Sequence, residues 1–134
     1  MKVNNPLLDT NIIIRFLTRD DPKQADRIEK LFNDKKIPSF TLPDLVFAEI
    51  IYVLLSVYKL SKEETAEKMS LLLEFEKIRC NKKILKTAIE LFLDSPISFI
   101  DAYLLSLIQH GYNPYIFSLD EKMAKMKKGL VKRP

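Results

Sequence analysis

One cysteine (Cys80), two glycines (Gly111 and Gly129) and one histidine (His110) are the chain's whole supply of three residue types on which much site chemistry depends. A single thiol excludes an internal disulfide and any cysteine-rich zinc site, and Cys80 reads as a small hydrophobe on a short strand. Two isolated glycines exclude a Gly-rich phosphate loop. One histidine leaves no basis for a Ser-His-Asp triad or a multi-histidine metal centre. Its place beside Gly111 marks a helix end instead. Long apolar runs are also missing: none approaches the ~20 residues that span a bilayer. The first residues lack the basic, apolar and small regions of a signal peptide. A cytoplasmic protein with no membrane partner is expected. Its chemistry must come from carboxylates, hydroxyls, amides and cations.

A length of 134 residues predicts one domain with a sizeable core, and 47% hydrophobic against 30% charged residues suits a soluble globular chain. The net charge of +4 is unevenly placed. Residues 122–134 hold six of the 22 basic side chains (Lys122, Lys125, Lys127, Lys128, Lys132, Arg133) and no acid, while the rest is about neutral. Such a cluster suits a polyanion partner. It equally suits a solvated helix C-terminus, where cations complement the dipole.

Periodicity alternates strands with helices. "KVNNPLLD" starts as a loop and becomes a short buried strand ending near Asp9, with Thr10 or Asn11 placed to cap a helix through "IIIRFL". Residues 20–36 read as a helix, with Pro22 at its first position, Asp21 and Gln24 in a capping-box pattern, and Ala25, Ile28, Leu31 and Phe32 on one stripe. "IPSFTLP" reads as a second strand, followed by an apolar helix over 44–59 capped by Asp44. Ser61 and Glu64 form a capping box opening a helix over 61–75, and "KIRC" reads as a third strand. Residues 82–94 and Ser98–His110 read as two more helices, "NPYIFSLD" as the last strand and 121–129 as a final helical segment. This alternation predicts an α/β domain with a mostly parallel sheet.

Most acids fall on polar faces, and four break the pattern. Asp9 lies inside "LLDTNIII", between stretches that read as core, where an unpaired carboxylate would be costly. Glu49 has Leu45 and Val53 at i±4 and Val46 at i−3, which predicts that it projects from a core-facing stripe. Asp101 shares a face with Leu104, Leu105 and Ile108, and Asp120 directly follows "YIFSL". Singly, Asp9 and Asp120 also read as helix caps, and Asp101 as a first-turn acid behind a Ser98 cap. A mid-helix Glu49 gains nothing from capping. Ligands of open α/β sheets bind beyond the carboxyl ends of the strands. Four carboxylates gathered at such an edge would repel one another without a hard divalent cation, Mg²⁺ or Mn²⁺.

"LLDTN", a helical "FAEI", "SFIDAYLLSL" and "FSLDEKMAKM" together resemble the PIN-domain signature in order, spacing and context. The length and short connections are similar to the VapC subfamily, ribonuclease toxins of prokaryotic toxin–antitoxin pairs. The resemblance covers essentially the whole chain. It implies a single PIN-like (Rossmann-like) α/β/α sandwich over residues 1–134 with a central, mostly parallel sheet. It also implies Mg²⁺- or Mn²⁺-dependent cleavage of RNA to 5′-phosphate and 3′-hydroxyl ends. Catalytic and metal-binding roles are implied for Asp9, Glu49, Asp101 and Asp120, with Asn11 and Ser118 supporting the pocket. The fourth acid is the family's least uniform position, so direct, water-mediated and indirect roles all stay open for Asp120. A cognate antitoxin and a homodimer are implied too, with Tyr52, Tyr58 and Tyr103 as dimer contacts or internal packing.

Arg15 or Arg19 and the tail residues Lys125, Lys127 and Lys128 are candidates to hold flanking RNA phosphates. Two rival readings compete with the nuclease. One is a non-catalytic PIN-like module that binds RNA or protein and whose acids hold a structural cation. The other is a phosphotransfer domain, which needs a phosphoacceptor Asp that residues 38–43 lack.

Overall fold

Capping side chains start five of the helices, and the computed structural model, which describes residues 5–134, shows where. The loop expected over Lys2–Asn4 lies outside the described residues. Helix α1 (Thr10–Thr18) opens on Asp9, whose carboxylate accepts the Thr10 amide. Helix α2 (Pro22–Phe32) opens on Asp21, which accepts the Gln24 amide at 3.2 Å, with Pro22 pre-set for the first turn. Strand β1 (Phe40–Thr41), helix α3 (Asp44–Ser56), helix α4 (Lys62–Leu73) and strand β2 (Ile78–Arg79) follow. The Ser61–Glu64 capping box forms as expected. These elements belong to the first of two compact units, which ends at Asn81. The second runs from Lys82 to Pro134 with helices α5 (Lys82–Asp94) and α6 (Phe99–Gln109), strand β3 (Ile116–Phe117), helix α7 (Glu121–Met126) and strand β4 (Val131–Lys132).

In the first unit β1 pairs in parallel with β2, Phe40 opposite Ile78 and Thr41 opposite Arg79. Leu7 makes a parallel bridge to Thr41 on the other side, with the Leu8 amide 3.0 Å from the Thr41 carbonyl. The chain therefore enters α1 and α3 from the carboxyl ends of neighbouring parallel strands. Buried Leu8, Ile13, Ile14, Phe47, Ile50 and Leu54 fill the interior. Phe32 meets Phe16 and Phe40 edge-to-face, at 4.9 and 5.2 Å between centroids. With glycine scarce, Arg19 (φ 53°) and Lys59 (φ 57°) take the left-handed positions that follow α1 and α3, at about 1 kcal/mol each.

In the second unit α5 packs on α6, with Phe92 and Phe99 edge-to-face at 6.0 Å. The Ser106 hydroxyl donates to the Ile84 carbonyl at 2.7 Å, and Thr87 bonds the His110 ring at 2.7 Å. His110 ends α6, as expected, and Gly111 follows at φ 81°. Strands β3 and β4 pair in parallel, Ile116 opposite Val131 and Phe117 opposite Lys132. Every strand pairing among the described residues is parallel, in two two-stranded sheets.

Several boundaries differ from expectation. The segment 37–43 narrows to a two-residue strand, and "KIRC" to Ile78–Arg79. The helix expected over 20–36 stops at Phe32, and that expected over 61–75 stops at Leu73. Pro43, not Asp44, occupies the cap position of α3, and Asp44 lies in its first turn. Gln24 closes no capping box; its side-chain oxygen accepts from Arg15 Nε at 3.1 Å. The expected final helix stops at Met126, and β4 follows it, so "NPYIFSLD" does not contain the last strand. Gly129, in left-handed backbone at φ 86°, supplies the turn before β4 that periodicity does not register. Of the three tyrosines considered for dimer contacts, Tyr52 is exposed while Tyr58 and Tyr103 are partly buried.

Candidate active site

The carboxylate between two apolar stretches does not pay the burial cost that its neighbours suggest. Asp9 is exposed, because "LL" ends at the sheet edge and the following helix turns the next side chain outward. Its Oδ1 accepts the Thr10 amide at 2.7 Å, so Asp9 is the cap, rather than Thr10 or Asn11. Thr10 becomes the first helical residue. It is buried, and its hydroxyl has no hydrogen-bond partner among the described residues.

Glu49 is exposed as well, against the expectation of a core-facing stripe. Helix α3 is apolar nearly all round, and its buried face is Phe47, Ile50, Ile51 and Leu54. Leu45 and Tyr52, a turn to either side of Glu49, are 83% and 68% exposed. Glu49 therefore stands in solvent on an apolar stripe, in the second turn of a helix that starts just beyond β1.

Asn11 and Arg15 line a cavity of about 530 Å³ between α1 and α2, with Gln24, Arg27, Ile28 and Leu31. None of the four carboxylates lines it. Arg15 is already partnered: it donates to Gln24 and Tyr58 and lies 3.5 Å from Asp20. The Tyr58 hydroxyl donates to Asp20 at 2.6 Å and, helped by Thr18 and Arg15, holds that carboxyl below its ordinary pKa. Arg19 pairs with Asp26 at 2.9 Å and Glu29 at 3.5 Å.

In the second unit Asp101 is half-buried in the first turn of α6, and its amide donates to the Ser98 cap at 3.1 Å. Asp120 is exposed and caps α7, its Oδ1 accepting the Met123 amide at 2.8 Å. The Ser118 hydroxyl accepts the Asp120 amide at 3.0 Å, so Ser118 helps set the backbone that carries Asp120. Lys125 and Lys128 are exposed and Lys127 is half-buried.

The four carboxylates thus fall two to each unit. Within neither unit, among the described residues, do three or more His, Cys, Asp or Glu side chains gather as a metal cage. Among the described residues, ion pairs occupy Asp20, Asp26, Glu29 and Glu121, and none involves Asp9, Glu49, Asp101 or Asp120. Hard oxygen donors without a protein cation on them match the ligand chemistry of Mg²⁺ or Mn²⁺.

Tyr115 and Phe117 escaped the sequence reading, and Tyr58 was considered there only as a dimer contact or internal packing. Tyr58 orders Asp20 and Arg15 across 38 and 43 residues, a separation that leaves no local signal. Tyr115 and Phe117 are exposed on and beside β3, and their alternation around Ile116 was the available clue. No helix among the described residues is long and apolar enough to cross a membrane.

The sequence profile of the PIN domain matches residues 7–129. No curated protein matches the chain. Among solved structures it is similar to the Mycobacterium tuberculosis toxin VapC20, which cleaves the sarcin–ricin loop, at 16% identity and a TM-score of 0.45, over 97% of this chain and 100% of that one.

Proposed function

The chain belongs to the PIN-domain family of nucleases, and from that premise we propose that it is a Mg²⁺- or Mn²⁺-dependent endoribonuclease, the VapC-like toxin of a toxin–antitoxin pair. The observation that carries this reading is the set of four motif carboxylates, Asp9, Glu49, Asp101 and Asp120, none of them in an ion pair with a described cation. In this reading the whole chain is one nuclease domain, and these four carboxylates are the ligands of the cation. When bound, such an ion supplies Lewis acidity toward a phosphate and an acidified water at neutral pH.

The protein's own part is orientation and charge. Capping holds Oδ1 of Asp9 and Oδ1 of Asp120 on backbone amides, which restrains both side chains and would leave the second oxygen of each open to a cation. Ser118 steadies the backbone of Asp120, and Ser98 that of Asp101. Asn11, exposed two residues after Asp9, offers an amide to a substrate phosphate or sugar. Lys125, Lys127 and Lys128 supply cations for flanking phosphates. Arg15 does so only by exchanging its contacts with Tyr58 and Asp20. A histidine base is not required, in keeping with His110 being held by Thr87.

The test is cleavage of a broad panel of single-stranded and looped RNAs. Purified, antitoxin-free protein is expected to cut with Mn²⁺ and to stop when EDTA is added. Intact RNA throughout the panel, from protein that melts cooperatively, would overturn the enzyme reading and leave the binding-module alternative. The toxin assignment further predicts that a small protein encoded beside it suppresses cleavage. The homodimer is checked by sedimentation.

A further inference from the structure

Tyr115 and Phe117 are i and i+2 neighbours at β3, so their side chains leave the same face of the strand. They are 39% and 62% exposed, and their rings meet edge-to-face at 5.5 Å between centroids. Lys132 is the register partner of Phe117 on β4, and its Nζ lies 4.2 Å from the centre of the Tyr115 ring. Two solvent-facing aromatics and a cation therefore share one small surface.

Apolar surface of this kind is costly to leave in water, and its surroundings indicate what covers it. The six basic side chains of residues 122–134 all belong to the segment that carries β4. The acids nearest in sequence are Asp120 and Glu121, and Glu121 is held by Arg133 at 3.7 Å. Arg133 also donates to the Leu119 carbonyl at 3.1 Å, tying the end of the tail to the segment that follows β3. Aromatic faces set among cations are the surface that single-stranded nucleic acid recognises, bases stacking on the rings while cations hold the phosphates. A second copy of this chain would bring the same excess of positive charge to the contact.

We propose that Tyr115, Phe117 and Lys132 form a base-stacking platform for single-stranded RNA on the β3–β4 surface. Phe117 is three residues before Asp120, so the platform would hold a nucleotide of the strand being cleaved. This inference rests on the ribonuclease reading, and its test separates the two.

Binding of a short fluorescein-labelled single-stranded RNA is measured by anisotropy in EDTA, where cleavage is off. Phe117→Ala is expected to weaken binding about tenfold while leaving the salt dependence unchanged. Phe117→Tyr restores affinity and Phe117→Leu does not, since stacking needs a π face. A duplex RNA of the same sequence, its bases unavailable, loses nothing. Lys132→Gln flattens the log–log salt slope by ~0.7, as one lost phosphate contact requires. The chain has no tryptophan, so Phe117→Trp adds a single reporter whose emission is quenched when single-stranded RNA stacks on it.

The exposure of Phe117 makes unfolding of these variants a minor concern, and a thermal melt of each checks it. No binding by the wild type, equal affinity of Phe117→Ala, or equal losses on single-stranded and duplex RNA would overturn the platform. Conversion of a dimer to a monomer by Phe117→Ala would also overturn it, by assigning the surface to a contact between copies. Cleavage with Mn²⁺ by a wild type whose binding ignores Phe117 would sink the platform alone. Platform behaviour without any Mn²⁺-dependent cleavage would sink the nuclease reading alone.

Discussion

In the unit ending at Asn81, Thr10 and Thr65 bury hydroxyls that have no hydrogen-bond partner among the described residues, whereas in the unit beginning at Lys82 the buried hydroxyls of Thr87 and Ser106 are bonded to His110 and to the Ile84 carbonyl. Ser39, bonded to Asn5, is the exception in the first unit. The first unit has an aromatic cluster of Phe16, Phe32, Phe40 and Phe75 and a buried face on each of α1, α3 and α4. Apolar packing of that extent tolerates an orphan hydroxyl. The second unit ties α5 to α6 through two polar bonds near the middle and end of α6. Both units rest on apolar packing, since Ile84, Leu85, Ile89, Phe92, Leu105 and Ile108 are buried in the second as well; the difference is that the second unit adds directed hydrogen bonds at its buried hydroxyls.

The contrast can be broken at its strongest point first. Phe40→Ala removes a fully buried ring from the edge-to-face cluster and is expected to cost about 3–5 kcal/mol, read by urea unfolding. A loss below ~1 kcal/mol would mean that the aromatic cluster is not what holds the first unit.

Next in size is Asp101→Asn, expected to lower RNA cleavage by more than about a hundredfold and to weaken Mn²⁺ binding. If the four carboxylates serve one cation, removing a charge relieves their repulsion, and stability in EDTA rises by ~1 kcal/mol. A lone first-turn acid predicts the opposite sign, because a favourable dipole contact is lost. Melts in EDTA beside Mn²⁺ titrations distinguish these. A less stable variant that binds Mn²⁺ normally would remove Asp101 from the site.

Ser106→Ala tests the polar staple of the second unit. Losing the bond to the Ile84 carbonyl should cost about 1–2 kcal/mol, measured by the shift in denaturant midpoint. Thr65→Val is the counterpart in the first unit, with the opposite sign. Exchanging an unpartnered buried hydroxyl for a methyl should leave stability unchanged or raise it by up to ~1 kcal/mol. Destabilisation comparable to that of Ser106→Ala would erase the distinction between the units.

The smallest expected effect is in pH dependence. Asp20 has its carboxyl lowered by the Tyr58 hydroxyl bond, so that bond contributes above the unfolded pKa of about 4 and is lost as pH falls through the lower folded value. Between pH ~4 and ~2, wild-type thermal stability should fall slightly faster than that of Tyr58→Phe, which lacks the donor. Parallel curves would show that Tyr58 does not stabilise the charged form of Asp20. Asp20 is at the surface, so solvent screening keeps the difference small.

What was legible in the sequence was local. Asp21 with Pro22, Ser61 with Glu64, and Ser98 three residues before Asp101 each start a helix through a bond closed within a single turn. That bond needs nothing from the rest of the chain. The motif segments around Asp9, Glu49, Asp101 and Asp120 were legible too, because their order and spacing along the chain carry the family pattern matched over residues 7–129.

Where the sequence reading failed, the missing information was the partner surface. Helix α3 is apolar on almost every side, so periodicity could not say that Phe47, Ile50 and Leu54 turn inward while Leu45 and Tyr52 flank an exposed Glu49. Asp9 looked buried because its sequence neighbours are apolar. Its exposure depends on the sheet pairing ending at Leu8: in place of the expected strand there is a single bridge from Leu7 to Thr41, with the Leu8 amide on the Thr41 carbonyl. Strand β4 has only two residues, and it exists because Ile116 and Phe117 lie beside it. Most caps and the helix periods arise from bonds between residues a few positions apart, so the sequence alone determined them, the cap of α3 and the Gln24 box excepted. Which faces are buried, which acids reach solvent and which tail residues become a strand depend on contacts between residues far apart in the chain, and only the tertiary structure could decide those.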